Sequence, residues 1–259
     1  MADDKNKHGL SRYIPESVRR EIRQRCGFGC VICGLGFYDY EHFDPDFAEA
    51  TEHNPNGMTL LCSQCNQKRA RGRLSAHTVA VANADPQCRK QGFASEMFDF
   101  HSEPIEVFFA GVSFYNCQHL LVVNDRAILS VQPPSVPGSP VRLSGIFCDA
   151  IGRESLKIKE NEWFIDSDYW DVECIGSRIT IRSALGEIVL ILRMQAPNGL
   201  VVERINMLFE GVRFRGDEHA LQFCLDGKNW REWVGVKVAH CPVGIAIETL
   251  IKAANDSLF

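Results

Sequence analysis

The chain has no apolar run near the roughly 18 residues that a membrane-spanning helix needs. No helical membrane span is therefore expected. It shows no apolar leader either: Met1 to Lys7 is polar and charged, so no secretory signal is expected. There is no excess of positive charge. The net charge is −5, which excludes a protein that gathers nucleic acid by bulk charge alone. Glycine-rich phosphate-binding loops are also missing, since Gly152 and Gly176 read as simple turns.

What is present is ordinary in bulk. The 259 residues suffice for two modest domains or one large one, and 45% apolar with 24% charged residues fits a globular chain. Cysteine is the exception, with 11 residues, an odd number. Cys26, Cys88, Cys117, Cys148, Cys174, Cys224 and Cys241 are scattered, several in apolar contexts, and read as small buried hydrophobes. With no leader, a reducing cytoplasm is the expected location. Charge is clustered locally: Arg19, Arg20, Arg23 and Arg25 on one side of the paired cysteines, Lys68, Arg69, Arg71 and Arg73 on the other.

Residues 1–11 read as a disordered tail. Ile14, Val18 and Ile22 recur every four residues after Pro15, which predicts a helix ended by Gly27 and Gly29. The short aromatic stretch 38–43 and the apolar 58–61 read as strands, separated by a loop with turn signals at Pro45 and Asn54-Pro55-Asn56-Gly57. A helix should start in the second cysteine pair and carry Lys68, Arg69 and Arg71. Ser75 should cap another over 76–84. From about residue 104 short strands alternate with turns: 106–115, 119–123, 127–131, 141–148, 155–158, 162–165, 171–174, 178–182, 187–194, 200–208 and 211–214. Asn198-Gly199 signals a hairpin. The four prolines in 132–140 exclude a central strand there. Residues 243–255 have helical spacing. Phe109-Ala110-Gly111-Val112-Ser113-Phe114 resembles Phe209-Glu210-Gly211-Val212-Arg213-Phe214, which reads as chance similarity rather than a repeat. Trp163, Trp170, Trp230 and Trp233 read as core, and His53, His77 and His101 as surface or loop residues.

The chemistry-bearing pattern lies near the N-terminus. Cys30-Val31-Ile32-Cys33 and Cys62-Ser63-Gln64-Cys65 are two Cys-x-x-Cys knuckles, the spacing of one tetrahedral Zn²⁺ site in a reduced protein. Glu41-His42 sits between them, a carboxylate beside an imidazole inside the zinc frame, which points to metal-dependent chemistry. The basic run Lys68, Arg69, Arg71 and Arg73 follows directly and is placed to touch phosphates.

These motifs carry a resemblance. Cys-Val-Ile-Cys-Gly (30–34), Tyr-Glu-His (40–42), Gly-Met-Thr-Leu-Leu-Cys (57–62) and Cys-Asn-x-Lys (65–68) resemble a zinc-knuckle HNH (ββα-metal) endonuclease across about residues 11–84. More loosely, Glu-Trp-Phe (162–164), Trp-Asp-Val-Glu (170–173) and Glu-Arg-Ile-Asn-Met (203–207) resemble the β-rich region that accompanies some bacterial HNH proteins. The resemblance implies an α+β chain: a tail over 1–11, a small zinc-stapled nuclease domain over 12–103, and a larger mostly-β domain over 104–259, a sandwich or rolled sheet ending in a helix. It implies a DNA phosphodiester hydrolase with His42 as general base. Glu41 and Asn66 would hold a catalytic Mg²⁺ or Mn²⁺, and Asn56 would orient the histidine. The zinc would be structural, held by Cys30, Cys33, Cys62 and Cys65.

The chain departs from the usual pattern at three positions. Glu41 stands where Asp is commoner, Asn66 where a final His is commoner, and Gly57 where the central Asn is expected. By analogy such proteins serve antiphage defence or mobile elements. The β-rich domain would then regulate, oligomerise, or bind a ligand or partner protein. The alternative is a zinc-stapled nucleic-acid or protein-interaction module whose catalytic site has decayed.

Overall fold

The computed structural model describes residues 5–101 and 103–249. They form two compact units: the described part of Met1–Glu96 together with Ile165–Cys174, and the described part of Met97–Phe164 with Ile175–Phe259. Strand outweighs helix, 45% against 15%, so the chain is mostly β, and among the described residues the helices fall in the first unit. The mostly-β character expected of the larger part of the chain is present.

In the first unit, helix α1 (Glu16–Cys26) buries the stripe read from the sequence: Ile22 is fully buried, with Ile14 and Val18 packed beside it. Gly27 ends it at φ 71°, a left-handed turn that glycine makes without strain. Strands β1 (Asp39–His42) and β2 (Met58–Leu61) pair antiparallel, Asp39 opposite Leu61 and His42 opposite Met58. Helix α2 (Ser63–Ala70) follows at once, started by the Cys62 side chain, which accepts from Cys65 N–H. Helix α3 (Ala76–Ala84) is capped by Ser75, whose hydroxyl accepts from Thr78 N–H. The short α4 (Gln87–Gln91) completes the helices. Residues 5–11, expected as tail, are tied down: Ser11 bridges to Lys5, and the Asn6 amide donates to the carbonyls of Phe47 and Ala50 at 2.6 and 2.7 Å.

Ile165–Cys174 joins this unit from far along the chain through a buried charge network. Arg23 is fully buried; its Nε donates to Asp171 at 2.8 Å, and its Nη1 and Nη2 reach Glu173, Tyr40 and Glu16. Arg19 and Arg20 pair with the same carboxylates, and Arg25 donates to the Met58 carbonyl. The arginines before the first knuckle are therefore internal ties, not a free basic surface.

The second unit holds two sheets. In one, His119–Val123, Arg126–Gln132, Arg142–Cys148, Glu154–Lys159 and Glu162–Asp166 run antiparallel in chain order. In the other, Arg178–Ala184, Glu187–Gln195, Gly199–Phe209, Val212–Gly216, Ala220–Cys224 and Trp230–Val234 do the same. Glu106–Phe109 adds in parallel to Gly199–Phe209, and Val112–Tyr115 pairs with it. Phe109 of one sheet stacks on Phe147 of the other, ring centroids 6.1 Å apart.

The hairpin signal at Asn198-Gly199 is realised between Glu187–Gln195 and Gly199–Phe209. The two similar Phe-x-Gly-Val-x-Phe segments make the same turn, with positive φ at Ala110-Gly111 and at Glu210-Gly211. The helix expected over 243–255 is corrected in its first part: Val243–Ile247 is a strand, parallel to His119–Val123. Residues 248 and 249 follow it without regular structure, and 250–255 lie outside the described residues. Ala220–Cys224, Trp230–Val234 and Val236–Ala239 are strands with no clear periodic signal in the sequence.

Candidate metal centre and histidine site

The two knuckles meet. The Sγ atoms of Cys30, Cys33, Cys62 and Cys65 all lie within 4.8 Å of one another, with Cys33–Cys62 at 3.6 Å and Cys33–Cys65 at 4.0 Å. Four sulfurs around Zn²⁺ at about 2.3 Å would stand about 3.8 Å apart, so the set fits a tetrahedral ion. The local fold enforces this. Cys30 N–H donates to Leu35 O and Gly34 N–H to Cys30 O, closing the first knuckle, while Val31 N–H donates to Leu60 O on β2. Cys62 and Cys65 then sit on the first turn of α2. The hydrogen bond from Cys33 leads in pushing the Cys30 thiol down to about 5 against the effect of burial. The same bond and burial raise the Cys33 thiol, and burial raises Cys65, so the closely packed sulfurs oppose one another's ionisation until a cation sits among them. These cysteines can hold a structural metal such as zinc.

Beside this centre, Glu41 and Asn66 come together across 25 residues of sequence: the Asn66 amide donates to Glu41 Oε1. β1 supplies the carboxylate and α2 the amide. Burial raises the Glu41 carboxyl above its usual range, with Asp39 adding to it and Asn66, Arg69 and Arg12 opposing. His42, next on β1, is 8% exposed. Burial, then the charges of His53 and Arg12, push its imidazole down to about 4, so it is neutral at physiological pH.

Asn56 is not the group that faces His42. It is exposed, and its backbone N–H donates to Asn54 Oδ1 in the turn Pro55–Gly57. The histidine's neighbour is His53, whose Nδ1 lies 3.3 Å from His42 Nε2, while its Nε2 lies 2.9 Å from Ser11 O. A carbonyl only accepts, so His53 Nε2 carries a proton, and in the neutral form of His53 its Nδ1 offers a lone pair to His42. His42 Nε2 then donates, which leaves the lone pair of its ring on Nδ1. Sequence reading placed His53 on a loop without a role. Its one available signal was position, in the loop that returns from β1 to β2.

Gly57, where an Asn was expected, has no room for a side chain: a Cβ there would lie 2.0 Å from Asp44 O. Its carbonyl accepts from Phe43 and Asp44 N–H, which closes the same loop.

Of the expected phosphate contacts, Arg69 is engaged internally: it ion-pairs with Asp46 and donates to His42 O at 3.2 Å. Lys68, Arg71 and Arg73 are exposed. His77 and His101 are exposed.

Compared with known proteins, the chain matches no family description, no curated protein and no solved structure. Among the described residues no helix is long and apolar enough to cross a membrane.

Proposed function

We propose that this chain is a metal-dependent endonuclease of the HNH type, hydrolysing DNA phosphodiester bonds, with zinc as a structural ion in the four-cysteine centre. The observation that carries the reading is the convergence of Glu41 and Asn66 beside His42 on a strand pair and helix stapled by that centre. Both Glu41 and Asn66 offer oxygen, the donor that Mg²⁺ and Mn²⁺ prefer. Such an ion, when bound, stabilises charge on the phosphate and the leaving oxygen.

The protein's own contribution is proton management. His42, neutral and buried, takes a proton from the attacking water at Nδ1. His53 holds the ring through Nε2 and is itself held by the Ser11 carbonyl. Lys68, Arg71 and Arg73 are placed to meet the DNA backbone, which gives affinity without sequence preference and strong salt dependence. The β-rich second unit would regulate or recruit.

The test is plasmid nicking by the zinc-loaded chain with Mg²⁺ or Mn²⁺. His42→Ala should lower the rate at least about a hundredfold, the usual scale of a lost general base, with zinc content unchanged. Equal cleavage by the variant removes His42 from the mechanism. DNA binding without metal-dependent nicking in the parent chain supports the non-enzymatic interaction module instead.

A further inference from the structure

The solvent side of the second sheet in the second unit carries a cavity of about 600 Å³ that the chemistry above does not use. Strand register decides what lines it. Asn206 stands opposite Arg215, Arg215 opposite Gln222, and Arg213 shares its cross-strand row with Cys224 and Trp230. Arg204, two residues before Asn206, lies on the same face. The residues between them, Ile205, Met207 and Phe214, are buried on the other side. Trp230, expected in the core, is 37% exposed.

Arginines on a solvated sheet face are commonly neutralised by nearby acids; Arg204 faces the charge of Asp217, but Arg213 and Arg215 are not neutralised. Among the described residues Arg204, Arg213 and Arg215 make no ion pair; Arg215 Nε donates instead to the neutral Gln222 Oε1 at 2.7 Å. The one acid lining the cavity, Asp217, accepts from the N–H groups of His219 and Ala220 at its rim; these bonds lead in holding its carboxyl below the usual range, and the charge of Arg204 adds to them. The Arg215 guanidinium lies 3.9 Å from the Trp230 ring centroid, which fixes the indole in place. The cavity thus has three chemically distinct parts: guanidinium forks, of which those of Arg213 and Arg215 are unneutralised, an oriented aromatic ring, and the Asn206 amide.

We propose that this face binds a nucleotide, with its phosphates on Arg204, Arg213 and Arg215 and its base against Trp230. Guanidinium forks match phosphate oxygens two at a time. An indole offers the flat apolar surface on which a base stacks. The Asn206 amide both donates and accepts, as a base edge requires, while Gln222 is held between Arg215 and Glu232. A simple polyanion would use the arginines and leave the rest idle. The volume suits a small ligand, since such pockets span about 300–1,000 Å³.

Isothermal titration calorimetry on the full metal-loaded chain, in about 0.15 M salt to suppress loose ionic association, tests this with three probes: ADP, inorganic pyrophosphate and a five-residue oligothymidylate. ADP should bind saturably and about tenfold or more tighter than pyrophosphate, the scale of one base–aromatic stack. Arg213→Ala and Arg215→Ala should each weaken ADP about tenfold or more, as loss of a charged hydrogen bond does. Trp230→Leu should bring ADP to the level of pyrophosphate, and Trp230→Phe should retain the preference. An oligonucleotide bound about tenfold tighter than ADP, with that advantage lost in Trp230→Leu, identifies a single strand as the source of the nucleotide; one bound equally or more weakly, or as tightly by Trp230→Leu, identifies a free nucleotide. The proposal is overturned by no saturable binding of any probe, by unchanged affinity in both arginine variants, or by pyrophosphate binding as tightly as ADP. His42→Ala should leave the ADP and pyrophosphate affinities unchanged, so this site stands or falls apart from the nuclease reading.

Discussion

Arg23 and His53 have ordinary side chains whose work depends wholly on what the fold brings to them. Burial opposes the charge of Arg23, but the bonds from Asp171 and the neighbouring Tyr40 and Glu16 outweigh it and raise its pKa. A charge held this way is costly to orphan. Asp171→Ala should therefore destabilise the protein by about 3–5 kcal/mol in urea denaturation, and the paired Arg23→Met, Asp171→Leu chain should recover much of that loss. A loss under about 1 kcal/mol for the single variant would show that water reaches Arg23. The site's residues divide the same way. Cys30, Cys33, Cys62, Cys65, Glu41, His42 and Asn66 could be picked out because their chemistry and spacing are local. His53 could not, because a histidine in a loop is informative only once its ring nitrogens have neighbours. Trp230 misled for the related reason that aromaticity predicts burial on average and says nothing of which face of a strand it occupies.

The elements differ in how far local signals govern them. Helix α3 and its Ser75 cap follow from a few adjacent residues, as does the start of α2 at Cys62. The strand pair β1–β2 is another matter: only 4 residues each, they gain their order from the knuckles that bind them. Removing the metal should therefore act locally. A chelator is expected to release one zinc per chain and to unfold the first unit while the second unit's sheets persist, read as a separate low-temperature transition in calorimetry. Cys62→Ser should reproduce it without chelator. A chelated chain that melts like the parent would mean that the cysteines pack without a metal. The strands Ala220–Cys224 and Trp230–Val234 escaped sequence reading because their polar outer residues and partly buried inner ones give no clean alternation.

At the scale of the whole molecule, the net charge of −5 says that acidic groups set the response to acid. Glu203 is the clearest case. Burial opposes its ionisation, but the bonds and charges of Arg193 and Arg178 outweigh it and hold its carboxyl below the ordinary 4.5. A carboxyl lower in the folded than in the unfolded chain adds stability above the unfolded value, and loses it as pH falls through the folded one. Glu203→Gln should thus cost about 1–3 kcal/mol at pH 7, and the difference from the parent should shrink as pH drops below about 4.5 in urea titrations. A constant difference across that range would mean that Glu203 acts through packing rather than charge.

Sequence by itself determined the cysteine centre, the Glu41–His42 pair, the first three helices and most strands of the second unit, because each rests on contacts or periodicities within a few residues. Tertiary structure alone decided that Ile165–Cys174 returns to the first unit, that the arginines of α1 turn inward to it, that His53 meets His42, and that Arg204, Arg213, Arg215 and Trp230 share one exposed face. Those are meetings between residues distant along the chain. Their energies come from burial and charge pairing that exist only once the backbone has brought them together.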